Sequence, residues 1–128
     1  MTELYGDEFS VSSKPVVVMD AKTIKIPAFT YDGQGGEVYF FAGEGPQPSS
    51  KGFIVPDELG YLAPLGIYRN QDVTLQMPGA KTIFEIDWLA VYNTETRKSL
   101  GHVIIPEALN VPPSLIKVND NDQGEVAQ

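Results

Sequence analysis

One histidine, no cysteine and seventeen carboxylates set the chemistry open to this 128-residue chain. Thiol catalysis, disulfides, iron–sulfur clusters and cysteine-ligated zinc all need a residue type that is absent. His102 stands in Gly-His-Val-Ile-Ile-Pro, where a strand begins. A general base needs a positioned partner, and one imidazole cannot build a multi-histidine zinc or copper site. It reads as a half-buried strand residue. The glycine-rich stretches Gly33-Gln34-Gly35-Gly36 and Gly43-Glu44-Gly45 lack the context of a phosphate loop and carry acidic neighbours, so they read as tight turns. Asn119–Gly124 has the spacing of an EF-hand opening, but no helical pattern flanks it. Asp32, Asp57 and Glu58 fall on turns at strand ends and are the candidate oxygen ligands for a structural calcium ion. The alternative is that each caps its own turn by accepting backbone N–H bonds. No carboxylate pair is spaced to suggest glycoside hydrolysis.

Rings are the other candidate working parts. Tyr31, Tyr39, Phe40, Phe41, Phe53, Tyr61 and Tyr68 fall within one third of the chain. Exposed rings on a β-scaffold stack on sugars or anchor a protein partner. Tyr31, Tyr39 and Tyr61 are the rings expected to reach solvent, because a hydroxyl tolerates it, and they form the candidate ligand surface. Phe40, Phe53, Phe84 and Trp88 are expected to be buried.

Short runs rich in Val, Ile, Thr, Tyr and Phe must position these residues. They are punctuated by 12 glycines and 10 prolines, the pattern of many strands joined by turns. Strands are predicted at Val16–Met19, Thr23–Ile26, Glu37–Ala42, Phe53–Val55, Val73–Met77, Thr82–Asn93 and His102–Ile105. Val73, Leu75 and Met77 alternate with Thr74 and Gln76. Phe84, Ile86 and Trp88 are expected on one face of a long strand. That strand then turns apolar on both sides through Leu89–Tyr92, as a strand does on entering the middle of a molecule. Asp57–Leu65 and Glu107–Asn110 allow single helical turns at most. The predicted fold is an all-β antiparallel sandwich or jelly-roll spanning residues 1–118. Leu109–Leu115 is proline-stiffened, and 119–128 is expected to be a flexible acidic tail.

The formal net charge is −8. Six of the acids lie near the ends (Glu3, Asp7, Glu8, Asp120, Asp122 and Glu125), leaving eleven against nine bases in the body. With no basic patch, nucleic acid and anionic membranes are poor partners. No apolar run approaches a membrane span, and no signal-peptide pattern opens the sequence.

The stretch Phe29-Thr-Tyr-Asp-Gly-Gln-Gly-Gly-Glu-Val-Tyr-Phe-Phe-Ala-Gly43 resembles the F-x-YDG-x-G-x-x-x-YF-x-x-G core of DM13 domains. Gly52-Phe-Ile-Val-Pro-Asp-Glu-Leu-Gly60, Pro64-Leu65, Tyr68, Asp72-Val-Thr-Leu75, Pro78, Ile86-Asp-Trp-Leu-Ala-Val-Tyr92 and Leu100-Gly-His-Val-Ile-Ile-Pro106 follow in the family's order, over about 85 residues from Ile24 to Pro106. The likeness is to the animal type found in Skeletor- and Knickkopf-like proteins, where such domains precede a DOMON domain. The resemblance implies an extracellular or cuticle-associated location. It also implies contact with chitin-like polysaccharide or matrix protein. The family has further been proposed to act in electron transfer, partly through a cysteine after the strand matching Trp88–Tyr92. Asn93 holds that position here, so a thiol redox role does not carry over. Gly33, Gly35, Gly43 and Gly60 suit turns of positive φ.

Three functions follow as expectations. The first is a non-catalytic matrix-binding module without a cofactor, calcium apart. The second is a redox accessory domain, and the third a protein-interaction or oligomerisation unit.

Overall fold

The structure, a computed structural model, describes residues 3–6 and 9–106. The expected turn at Glu107–Asn110, the proline-stiffened stretch and the acidic tail lie outside the described residues. Nine strands and one 3-10 turn are described: β1 (Glu3–Tyr5), β2 (Ser12–Pro15), β3 (Val17–Asp20), β4 (Thr23–Tyr31), β5 (Val38–Gly43), β6 (Phe53–Val55), β7 (Tyr68–Gln76), the turn Ile83–Glu85, β8 (Trp88–Asn93) and β9 (Lys98–Ile104). They form two antiparallel sheets packed as a sandwich, as the punctuated pattern predicts. One sheet runs β1-β2-β4-β3 with β7 on the remaining edge of β4; the other runs β6-β5-β8-β9.

The alternation in the sequence explains the inner faces. Ile24 and Ile26 of β4 pair with Leu75 and Val73 of β7, and all four are buried. At Ala28 the parity changes, and Phe29 and Tyr31 become the buried pair. Ala28 has φ +52° and its N–H donates to Asp72 Oδ1 at 2.9 Å. The extra residue is a β-bulge that turns the second half of the strand over. A second bulge follows in β7, where Asn70, across from Thr30, has φ +55° and donates its N–H to Thr30 Oγ1. The core closes where Phe29 meets Phe40 at 5.4 Å between centroids and Tyr68 at 5.1 Å. Tilted rings at such spacing are favourable beyond the area they bury.

β5 and β8 lie in the middle of their sheet and are apolar on both faces. Their inner residues Phe40, Ala42, Leu89 and Val91 join the core. Their outer residues Phe41, Trp88, Ala90 and Tyr92 form a second buried cluster. Phe41 stacks on Tyr92 at 4.8 Å and on Trp88 at 6.2 Å. The loop after β5 folds over the indole, whose Nε1–H donates to the Glu44 carbonyl at 3.2 Å.

Three expectations need correction. The run Thr82–Asn93 is not one strand. Glu85 Oε1 accepts the Thr82 N–H at 2.6 Å, and this local cap closes a 3-10 turn before β8 begins. The turn breaks the alternation, so Phe84 is 60% exposed while Ile86 and Trp88 are buried. Phe53, at an edge strand, is only half-buried. The glycines also divide by cause. Gly33 and Gly60 have positive φ, whereas Gly35 and Gly43 are absent from that region and serve close approach. A Cβ at Gly43 would lie 2.7 Å from the Trp88 ring, and one at Gly35 would lie 2.6 Å from the Tyr31 hydroxyl.

Candidate functional site

The predicted site residues, Tyr39 apart, separate into two places. Tyr31, Asp32 and Asn93 belong to the first, a structural knot. Tyr31 is fully buried, so it is no surface ring. Its hydroxyl accepts the Gly35 N–H at 2.9 Å, which satisfies the group away from water. Burial raises the phenol above its ordinary pKa, Asp32 raises it further, and the Gly35 bond opposes both. Asp32 caps its own turn, Oδ1 accepting the Gln34 N–H at 2.9 Å. Asn93, 6% exposed, donates Nδ2–H to the Gly35 carbonyl at 2.8 Å. Its Oδ1 accepts from Glu95 N–H (2.9 Å) and Thr96 N–H (3.0 Å). The amide thus ties the Asp32–Gly36 turn to the β8–β9 turn, with its polar atoms engaged.

Asp57, Glu58 and Tyr61 belong to the second place, the loop between β6 and β7. Asp57 Oδ1 accepts the N–H groups of Leu59 and Tyr61, both at 2.9 Å. Asp57 N–H donates back to the Tyr61 carbonyl, and Gly60 N–H to the Asp57 carbonyl. Glu58 Oε1 accepts the Tyr68 hydroxyl at 2.7 Å, and Gln71 Nε2 approaches the other oxygen at 3.5 Å. Leu65 is a buried peg whose N–H donates to the Val38 carbonyl. The loop is therefore held at both ends. Between the ends it presents Leu59, Tyr61, Leu62 and Ile67 at 55–70% exposure. A cleft of about 470 Å³ lies beside it, lined by Pro56, Asp57, Glu58, Thr74, Gln76 and Met77.

Tyr39 is half-buried on the outer face of β5 and donates to Glu37 Oε1 at 2.9 Å. Asp32 caps one turn, and Asp57 and Glu58 brace another. Among the described residues no group of three or more His, Asp or Glu gathers as metal ligands. His102 is exposed, paired across from Ala90. Sequence reasoning passed over Leu59, Leu62 and Ile67. Their signal was present: in Leu-Gly-Tyr-Leu-Ala-Pro-Leu-Gly-Ile, glycine and proline break every period, so the apolar residues cannot all turn to one buried face. It also passed over Lys22, a buried ammonium that donates to the Gly79 and Lys81 carbonyls at 2.8 and 2.7 Å. Burial lowers its pKa, with Glu85 opposing.

Tyr68 gives a testable pH effect. Burial, then the bond to Glu58, push its phenol far above the ordinary value. A raised folded-state pKa means that the unfolded chain loses its proton first, so stability falls as pH rises past about 10. Tyr68→Phe should cost about 1 kcal/mol at neutral pH. It should also flatten the alkaline decline, as read by urea unfolding at pH 7 to 11. An alkaline slope equal to that of wild type would remove Tyr68 as the cause.

The fold and this site together define a small β-sandwich domain with a braced, apolar surface loop. The chain matches the family model described as electron transfer DM13 over residues 4–105, and it belongs to the DM13 family. It is 39% identical over 116 residues to Drosophila melanogaster Protein Skeletor, isoforms B/C, and likewise to isoforms D/E. The match covers 91% of this chain but only 15% and 8% of those relatives. No solved structure matches it.

Proposed function

We propose that this domain is a non-catalytic contact module, working outside the cell in matrix or cuticle and gripping a matrix protein through the loop Leu59–Ile67. The observation that carries this reading is the exposure of Leu59, Tyr61, Leu62 and Ile67 on a loop fixed by Asp57, Glu58 and Leu65. Apolar side chains carried on a backbone fixed before binding leave less entropy to be lost on contact, which helps a few residues to dominate an interface. Aliphatic side chains favour a protein partner over sugar. The most exposed rings, Tyr5, Tyr61 and Phe84, stand on three separate elements, whereas a sugar platform needs rings side by side. The location is inferred from the family likeness. The test is retention of the purified domain on decellularised cuticle treated with protease or with chitinase. Retention lost to protease and kept after chitinase is expected; the reverse would replace the protein partner with polysaccharide.

A second reading, an electron-transfer accessory, is favoured by one feature. Oxidisable Trp88 and Tyr92 flank Phe41 in a single stack. Its test is the visible spectrum and metal content of the purified protein. A stoichiometric chromophore or redox metal would put this reading first.

A further inference from the structure

β7 is an edge strand of its sheet. Over Thr23–Tyr31 it pairs with β4, and among the described residues no strand pairs with its other edge. An open edge carries backbone donors and acceptors at strand spacing, which is a template for another extended chain. Proteins commonly blunt such edges with charge, proline or a covering loop. Here the end of the edge opens into the cleft of about 470 Å³, within the range of small binding sites. Thr74 and Gln76 of β7, with Met77 and Pro78 just beyond it, line the cleft together with Pro56, Asp57, Glu58 and Gly60 of the loop. No lysine or arginine lines it. The two carboxylates are fixed by bonds to the loop and to Tyr68, so their negative charge is aimed by the fold.

We infer that this cleft takes an extended peptide of a partner protein, which adds as a strand to the free edge of β7 and places a lysine or arginine against Asp57 and Glu58. Main-chain bonds to the edge supply affinity, and alternate side chains supply choice. The charge of the site selects the occupant. A second copy of this chain would bring another −8 of net charge to an acidic cleft, and like charges disfavour that approach. A basic, extended segment meets complementary charge instead. The inference rests on the reading of the domain as a contact module, and it gives that module a second point of attachment beside the apolar loop.

The test uses the whole 128-residue chain and synthetic peptides of alternating Lys and Val, with Glu/Val peptides as the charge-inverted control. Backbone amide NMR is recorded during titration, alongside parallel titrations with glucosamine and N-acetylglucosamine hexamers. Saturable binding of the Lys/Val peptide is expected, with shifts at Asp57–Gly60 and Thr74–Gln76. The double variant Asp57→Asn, Glu58→Gln keeps one acceptor oxygen at each position, for the Leu59 and Tyr61 N–H groups and for the Tyr68 hydroxyl, gives up only the long 3.5 Å contact to Gln71, and removes the charge. It should weaken binding at least fivefold while leaving the unfolding midpoint near that of wild type. Equal binding of both peptides, shifts confined to other surfaces, or unchanged affinity in the double variant would each overturn the inference. So would binding of the glucosamine hexamer in the cleft without the peptide. Loss of peptide binding with cuticle retention intact would sink this site and leave the contact-module reading standing. Peptide binding without retention would do the opposite.

Discussion

Replacing Trp88 with alanine is expected to destabilise the domain by about 3–5 kcal/mol, as large-to-small changes of buried rings do. The indole is fully buried at the start of β8. It supports Phe41 by stacking, holds the Glu44 carbonyl, and fills the space against which Gly43 and Gly52 have given up side chains. Neighbouring backbone cannot easily collapse into the hole, because β5 and β8 are locked in register from Val38↔Asn93 to Gly43↔Trp88. The loss therefore includes a cavity as well as a transfer contribution. Trp88→Phe separates packing from hydrogen bonding. It keeps a ring in the stack, deletes the Nε1–H, and should cost on the order of 1 kcal/mol beyond the lost volume. Urea unfolding checks both, as a shifted midpoint at unchanged slope. An alanine variant with the midpoint of wild type would mean that the indole does not sit under the Glu44 loop.

Asn93→Ala should cost about 1–3 kcal/mol, since it leaves the Gly35 carbonyl and the Glu95 and Thr96 N–H groups without their partner at a buried side chain. Asn93→Asp distinguishes the roles of the two amide ends. It keeps the acceptor for Glu95 and Thr96 but opposes the Gly35 carbonyl with a charge, so it should also destabilise. Asn93→Cys restores the residue type that the family likeness places here. A thiol is a weak donor and acceptor, so the variant should be destabilised much as the alanine one is. Stability equal to that of wild type in Asn93→Cys would show that the two turns are held by something other than this amide.

Much of the sandwich was legible because its strands announce themselves by alternation. Val73, Leu75 and Met77 turn inward as their spacing requires, as do Ile24 and Ile26. Phe40 and Phe41 fall on opposite faces of β5, as adjacent residues must. What alternation cannot show is a local bond that outcompetes the strand. The Glu85 carboxylate capping Thr82 was such a bond, and it threw Phe84 into solvent. Tyr31 misled for a related reason. A hydroxyl was expected to seek water, but the Gly35 N–H supplied a partner inside the fold. Short β1 and β2 left little signal, since Glu3–Tyr5 buries only Leu4 and Ser12–Pro15 buries no side chain fully. For the candidate site, Asp57 and Glu58 were visible as turn residues and Tyr61 as a ring expected to reach solvent. Their joint action depends on Tyr68, whose hydroxyl meets Glu58, and on Leu65, which ties the loop to the Val38 carbonyl of β5, contacts that local sequence does not show.

The most direct measurement is the affinity of the domain for protease-sensitive cuticle matrix when Leu59, Tyr61 and Leu62 are replaced together by serine. These side chains are exposed, so each change should move stability by about 0.5 kcal/mol or less. Their removal takes away the apolar grip. The expected result is a folded protein with an unfolding midpoint close to that of wild type and retention reduced at least tenfold. A folded triple variant held as firmly as wild type would contradict the account, because the braced loop would then be no contact surface at all.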